Sequence, residues 1–194
     1  MSNTVSSNTV SNVAAGKPKI GGAIYTAAIT ATMPTSADAA LGTGWTCLGY
    51  ISEEGLRNEN GPTSQDIKAW GGDSVLSTVT DKPDRFRFGL LEVLNVDVLK
   101  FVHGAANVTG TLSDGIAVTA NNAIPDHHAI VVDMVLGKAL KRIVVPDSTI
   151  TGMEEIAYSD NGAVMYDVTN LAYPDSAGNT HYEYIKTAAT GVSQ

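Results

Sequence analysis

The sequence has little of several features that mark common classes of protein. Cys47 is the one cysteine in 194 residues, so an internal disulfide is excluded. No apolar run approaches the roughly 20 residues of a membrane helix. No positively charged stretch followed by an apolar one marks a secretory signal. We therefore expect a soluble protein that is made in a cytoplasm and does not enter a membrane.

Positive charge is also scarce. The chain has 12 Lys and Arg against 20 Asp and Glu, which gives a net charge of −8 at pH 7. Tight binding of nucleic acid needs clustered Lys and Arg, so this balance argues against it. The acids are concentrated late in the chain, where residues 143–194 hold seven acids and one base. This acidity fits simple solubility, and it also fits a surface that DNA must pass without being held.

Motifs for catalysis or for cofactor binding are missing as well. Gly71-Gly72 continues into no phosphate-binding motif, and no serine lies in a Gly-x-Ser-x-Gly elbow. Adjacent residues on a strand point to opposite faces, so His127-His128 cannot chelate one ion together, and we expect exposed loop histidines there. Glu53-Glu54 and Glu154-Glu155 are typical of solvated acidic turns. The sequence therefore predicts no enzyme, no metal site and no cofactor.

The residues that are plentiful suit a single β domain. Apolar residues make up 43% of the chain, enough for a sizeable core, and glycine occurs 19 times, which is a turn signal. We expect the folded domain over residues 20–186. Residues 1–19 and 187–194 are small and polar, and cannot bury enough apolar area to order alone. They are expected to be flexible arms, either frayed or ordered against a neighbouring subunit.

Alternation of apolar and polar residues predicts most of the strands. It is strictest at Arg85-Phe86-Arg87-Phe88, which places both arginines on one face of a half-buried strand. Asn161-Gly162 is a strong hairpin signal. Pro146 is expected to end the strand before it. The other predicted strands cover residues 45–51, 65–70, 74–80, 108–112, 116–119, 130–136, 140–145, 164–173 and 182–185.

One helix is predicted, over about residues 95–104. Asn95 is a favourable N-cap, Asp97 lies in the first turn, and Gly104 ends the helix. Val98, Phe101 and Val102 follow helical spacing. A helix this short is not stable alone, so it must pack on the sheet. The predicted fold class is mainly β, a sandwich or barrel with one flanking helix.

These segments together resemble the major tail tube protein of long-tailed bacteriophages with non-contractile tails. The resemblance spans roughly residues 20–186 and is one of pattern. It is carried by Trp45-x-x-Leu48-Gly49-Tyr50, by Ile67-x-Ala69-Trp70-Gly71-Gly72-Asp73, by residues 88–104, by residues 141–146 and by Ala172-Tyr173-Pro174-Asp175.

The resemblance implies subunits that form hexameric rings, with one sheet of each subunit lining the channel of a stacked tube. It implies arms and a long loop that bridge rings, here residues 1–19, 53–73 and 187–194. It also implies tail-tip or baseplate, tape-measure and terminator proteins as partners, DNA only in transit, and a place in the virion after assembly in the host cytoplasm.

On this interpretation, specific residues become candidates for assembly and for the channel. Trp70 is either a core residue or an interface anchor, and Arg85 and Arg87 are either solvated edge charges or partners for acids across a subunit boundary. The candidate interface residues are Trp70, Gly71, Gly72, Asp73, Arg85 and Arg87. The candidate channel-facing acids are Asp160, Asp167, Asp175 and Glu183.

Two alternatives remain open from the sequence. A capsid decoration or head–tail joining protein would also be acidic, rich in strands and without motifs. A carbohydrate- or protein-binding β-sandwich module is the other alternative, although such modules usually expose a row of aromatic side chains. This chain has 2 Trp, 7 Tyr and 3 Phe, few to spare for that purpose.

Overall fold

The structure is a computed structural model and describes residues 8–188. Within that range the chain forms thirteen strands, one α-helix and two 3₁₀ turns. The helix α1 is Val96–His103, and the turns are Val10–Asn12 and Ala105–Asn107. The strands are β1 (Gly16–Pro18), β2 (Ile24–Ala27), β3 (Thr46–Cys47), β4 (Arg57–Glu59), β5 (Thr63–Lys68), β6 (Ser74–Asp81), β7 (Arg85–Leu90), β8 (Val108–Thr111), β9 (Gly115–Val118), β10 (His128–Leu136), β11 (Ala139–Met153), β12 (Tyr166–Ala172) and β13 (Tyr182–Thr187).

Nine of these strands form one antiparallel sheet. Its main order is β3-β2-β10-β11-β12-β7-β4, with β1 also paired to β10 and β13 also paired to β11. Two hairpins, β5–β6 and β8–β9, stand outside this sheet. The predicted class, mainly β with one flanking helix, is confirmed. Strand β1 also places residues 16–18, assigned from sequence to the N-terminal arm, on the sheet.

The long strand β11 joins the two halves of the sheet. Its residues 139–144 pair with β13, and its residues 148–153 pair with β12. The expectation that a strand ends at Pro146 is wrong. The pairing with β10 shifts register between Val145 and Ser148, so Pro146 lies where the ladder is interrupted and no backbone N–H is required.

The core is one buried cluster to which strands from both parts of the sheet and the helix contribute. Phe86 and Phe88 of β7 pack in the same buried cluster as Ile130 and Val132 of β10 and Ile143 of β11. Each of these side chains alternates with one that points away from the core, as the period of a strand requires. The alternation at β7 is as predicted, since both phenylalanines are buried and both arginines are partly exposed.

The helix follows the sequence closely. The Asn95 side chain accepts a hydrogen bond from the backbone N–H of Asp97 at 3.0 Å, and Gly104 ends the helix with φ of 90°. Val98 and Leu99 are buried in the core. The Phe101 ring lies 6.3 Å from that of Phe88. The predicted cap, stop and packing of the helix are confirmed.

The Asn161-Gly162 prediction of a tight hairpin is wrong. The connection between β11 and β12 runs over residues 154–165, and Asn161 and Gly162 form a local turn inside it. The first paired residues of the two strands are Met153 and Val168, and the segment between them is too long to be a two-residue turn.

A buried ion pair fastens the segment between β2 and β3 to the outside of the sheet. The Arg142 guanidinium donates to both carboxylate oxygens of Asp133, at 2.6 and 2.7 Å, and to the carbonyls of Ser36 and Ala39. Arg142 is 1% exposed and Asp133 is 3% exposed. Asp133, an acid within the apolar strand β10, is therefore neutralised by Arg142 of the next strand, β11.

Candidate functional site

The hairpin β5–β6 is the part of the described chain that is least integrated with the core. Its two strands pair only with each other, from Thr63 opposite Asp81 to Lys68 opposite Ser74. Every residue of both strands is exposed. A two-stranded hairpin is marginally stable by itself in water. Its exposed faces therefore need a partner if the hairpin is to be held rigidly.

The tip of the hairpin is built by glycine. Ala69 N–H donates to the Asp73 carbonyl at 2.8 Å, and Gly72 N–H donates to the Ala69 carbonyl at 3.0 Å. Gly71 and Gly72 have φ of 115° and 101°, a region that residues with a side chain rarely adopt. This geometry leaves Trp70 pointing into solvent at the turn.

The hairpin carries large apolar side chains in the open. Trp70 is 107% exposed, so the alternative that it is a core residue is wrong. Four more apolar side chains of the hairpin are over half exposed. They are Ile67, Val75, Leu76 and Val79. Exposed aromatic and aliphatic side chains grouped on one projecting element are typical of a protein–protein contact.

The candidate interface residues fall on two separate surfaces. Trp70, Gly71, Gly72 and Asp73 lie together at the hairpin tip, whereas the two arginines lie on β7 in the sheet. Arg85 contacts Glu59 at 3.4 Å.

Arg87 is paired within the chain. It donates to both carboxylate oxygens of Asp167, at 3.0 and 2.7 Å, and lies 3.3 Å from Glu154. The hydrogen bond from Arg87 to Asp167 is the main reason why the pKa of Arg87 is raised. A candidate interface base and a candidate channel acid thus neutralise each other on the outer face of β7 and β12.

The four candidate channel acids are in different environments. Glu183 contacts Lys141 at 2.7 Å. Asp175 accepts a hydrogen bond from the Tyr182 hydroxyl at 2.6 Å, and this bond is the first cause of its lowered pKa. Asp160 is exposed in the loop between β11 and β12. The structure does not gather the four carboxylates into one cluster.

A groove of about 890 Å³ lies between β1, β2 and the loop that precedes β4. Its lining includes the apolar residues Ile51, Leu56 and Met134. Tyr50 and Ile20, both 77% exposed, also line it. Sequence reasoning missed this groove, because its residues are scattered over the chain and share no pattern.

At one end of the groove, Glu92 lies close to the backbone of Gly49 and Tyr50. Glu92 accepts a hydrogen bond from the backbone N–H of Tyr50 at 3.0 Å, and its carboxylate lies against Gly49. A Cβ at Gly49 would collide with the Glu92 carboxyl group, and φ is 73° there. A side chain at position 49 would be strained at this φ and would displace the Glu92 carboxylate from its contact with Tyr50.

A second buried carboxylate, Asp84, holds the start of β7 to the loop before β13. It accepts hydrogen bonds from Thr180 at 2.6 Å, from Asn58 at 2.8 Å and from the His181 imidazole. Burial alone would raise the pKa of Asp84, but these hydrogen bonds outweigh it and lower the pKa. Asp84 is a structural acid placed next to the base of the hairpin.

The histidines form no metal centre within residues 8–188, where no three His, Cys, Asp or Glu side chains are grouped to hold an ion. His127 is exposed and contacts Asp147 at 2.6 Å. His128 is not an exposed loop histidine as predicted: it begins β10, and its Nε2 lies 3.0 Å from the Asn170 side-chain oxygen. Burial lowers the pKa of His128.

No helix within residues 8–188 has the length and the apolar character that crossing a lipid bilayer requires.

Comparisons with known proteins give one assignment. The family model described as phage tail tube protein matches residues 7–193. No curated protein matches the sequence. Two similar solved structures are the tube-terminating cap of the anti-feeding prophage and the sheath–tube complex of an extracellular contractile injection system in the extended state. The first is 10% identical over 97% of this chain and 100% of that chain, with a TM-score of 0.38. The second is 7% identical over 94% and 100%, with a TM-score of 0.37.

Proposed function

The chain belongs to the phage tail tube protein family, and from this membership we propose that its copies stack as hexameric rings into the tube of a long, non-contractile tail. As a member of that family it is a structural component of the phage tail and not an enzyme. The finer features, which are the ring size, the tail type and the passage of DNA through the tube, belong to the proposal.

The observation that carries the proposal is the β5–β6 hairpin. It exposes Trp70 and four further large apolar side chains, and it is held by no other element of the described sheet. Burying such side chains stabilises an association by roughly 25 cal/mol per Å² of apolar area. A monomer gains nothing from keeping them in water, whereas a subunit of a tube buries them against its neighbours.

The open edges of the sheet support the formation of rings. Strands β3 and β4 end the main path of the sheet, and β13 pairs with β11 alone. An unpaired edge leaves backbone N–H and C=O groups free to pair with another chain. Joining such edges around a ring would close the sheets of neighbouring subunits into one continuous wall, which removes the edges.

We place the candidate acids Asp160, Asp167, Asp175 and Glu183 toward the channel. A channel wall that repels phosphate keeps DNA mobile, whereas a basic wall would retain it. The pairing of Arg87 with Asp167 and Glu154 is in accord with this role, since a neutralised arginine is a weak ligand for phosphate. Partners at the ends of the tube would be tail-tip, tape-measure and terminator proteins.

Electron microscopy of negatively stained protein tests the proposal. The purified full-length chain, first dilute and then concentrated, should form hollow tubes with a regular axial repeat and six-fold end views. If only monomers appear, isolated tail tips are added as an initiator. Small closed oligomers that persist with tail tips present would contradict a tube and favour a decoration or joining protein.

A further inference from the structure

The exposed hairpin and the apolar groove lie at opposite ends of the same pair of strands. The hairpin leaves the sheet after Glu59 of β4 and returns at Arg85 of β7, and these two residues are paired. The groove lies at the far end of the pair, where Leu56 precedes β4 and Ile51 bridges Leu90. The six residues of β7 separate the two ends by roughly 20 Å.

We propose that the hairpin tip of one copy inserts into this groove of the next copy, with Trp70 as the anchor. The inference rests on the proposed self-assembly and names the contact that carries it along the tube. The chain's own groove is not the receptor, because the hairpin projects from the end of β4 and β7 opposite to it.

The chemistry of the two surfaces matches. The hairpin offers one tryptophan at its tip and two aliphatic side chains on each face, Ile67 with Leu76 and Val75 with Val79. The groove offers Ile51, Leu56 and Met134, with Tyr50 exposed beside them. Aromatic side chains and methionine are enriched at the centres of interfaces, and tryptophan is the most frequent anchor. The groove volume of about 890 Å³ leaves room for an indole and the aliphatic neighbours on the hairpin.

The contact joins two different surfaces of successive copies, and this asymmetry explains how a tube can lengthen. A hairpin tip at one end of the subunit and a groove at the other make a heterologous contact. A series of such contacts leaves one free hairpin tip and one free groove, to which further copies can bind. Such contacts continue without closing when successive copies are related by a translation along an axis. A self-complementary contact between two hairpins would instead stop at pairs.

The one native cysteine makes a direct test possible. Cys47 lines the groove and is partly exposed, and an Ala69→Cys variant puts a second thiol beside Trp70 at the exposed hairpin tip while the tryptophan is kept. Under assembly conditions with a mild oxidant or a short bis-maleimide linker, each copy can join its new tip thiol to Cys47 of the next. Denaturing gels without reductant should then show a ladder of dimers, trimers and longer chains.

Two controls separate this ladder from random coupling. Ala69→Cys combined with Cys47→Ser keeps the tip thiol and removes the groove thiol, so no species above a dimer should appear. Ile124→Cys places a thiol at another strongly exposed apolar residue, outside both surfaces, and should also give no ladder. Equal ladders from Ala69→Cys and Ile124→Cys would overturn the proposal.

Assembly of variants without new thiols gives a second measurement. Trp70→Ala should raise the protein concentration needed for tubes at least about tenfold, and Trp70→Phe should raise it less, because an aromatic anchor remains. Met134→Asp on the groove side should match Trp70→Ala. Since Met134 is partly buried, its variant is compared only after circular dichroism shows the native fold.

The outcomes distinguish the contact from the function. Tubes with a Cys47-dependent ladder support both. Tubes that form normally, with no ladder from Ala69→Cys and no effect of Trp70→Ala, overturn the groove contact and leave the tail-tube function standing. Failure to assemble even with tail tips contradicts the proposed function, and the groove contact with it.

Discussion

Two buried carboxylates, Asp133 and Asp84, bind side chains from other parts of the chain and so stabilise the fold. Arg142 is the main partner of Asp133. Removing the guanidinium in Arg142→Ala leaves the buried Asp133 carboxylate with Lys19, 3.5 Å away and partly exposed, as its remaining ion-pair partner, so the unfolding free energy should fall by about 3 kcal/mol. Lys141→Ala is the matched control, because the neighbouring Lys141–Glu183 pair is partly exposed and should contribute at most about 1 kcal/mol. Urea unfolding compares the two variants, and equal losses would contradict the assignment.

Asp84, the second carboxylate, should make stability depend on pH. Its folded-state pKa lies below the unfolded one, so its contribution is present above the unfolded pKa of about 3.9 and is lost as the pH falls through the folded value. Asp84→Asn should therefore be less stable at pH 7 and lose less further stability on acidification. Thermal melts between pH 7 and pH 3 measure the slope. The same slope in variant and parent would argue against this role.

Among the elements, the helix is the one whose ends are decided by neighbouring residues along the chain. Asn95→Ala removes the hydrogen bond to the Asp97 N–H and should lower the unfolding free energy by about 1 kcal/mol. The control is Asn122→Ala, at an exposed loop position. Denaturant unfolding of both variants tests the cap, and a neutral Asn95→Ala would show that packing of the helix alone holds it.

The hairpin gives no residue to the described core, so we expect the domain to fold without it. Replacing residues 62–82 by a short Gly/Ser turn removes no buried core residue, so the unfolding free energy should change by less than about 1 kcal/mol. The same variant should form no tubes. Circular dichroism with thermal melting reports the fold, and electron microscopy reports assembly. An unfolded variant would contradict the separation of the two roles.

The proposed passage of DNA through the assembled tube is based on an acidic chain, with a net charge of −8. Reversing Asp160 and Glu183 to Lys should slow DNA delivery while tubes still form, since phosphates would bind the altered wall. A matched pair of reversals at Asp114 and Asp126, two exposed acids in other loops, should leave delivery unchanged. Unchanged infectivity of the first variant would refute the channel position of these acids.

The features that the sequence predicted correctly depend on interactions between residues close together in the chain. The cap at Asn95, the stop at Gly104, the alternation of Arg85 to Phe88 and the turn at Gly71-Gly72 each depend on residues close together in the chain, and the structure has them as predicted. The family itself was likewise recognisable from the order of such segments. Short-range propensity and period are sufficient for features of this kind.

Contacts between distant residues decided the rest. Pro146 stays within β11 because a register shift with β10 spares its missing N–H, and Asp133 is tolerated inside an apolar strand because Arg142 lies opposite it. The partial burial of His128, the exposure of Trp70 and the groove formed by Ile51, Leu56 and Met134 also follow from which strands become neighbours. The sequence pattern of one strand does not specify which distant strand pairs with it. Pairing and burial are therefore decided only in the tertiary structure, when the sheet forms around its core.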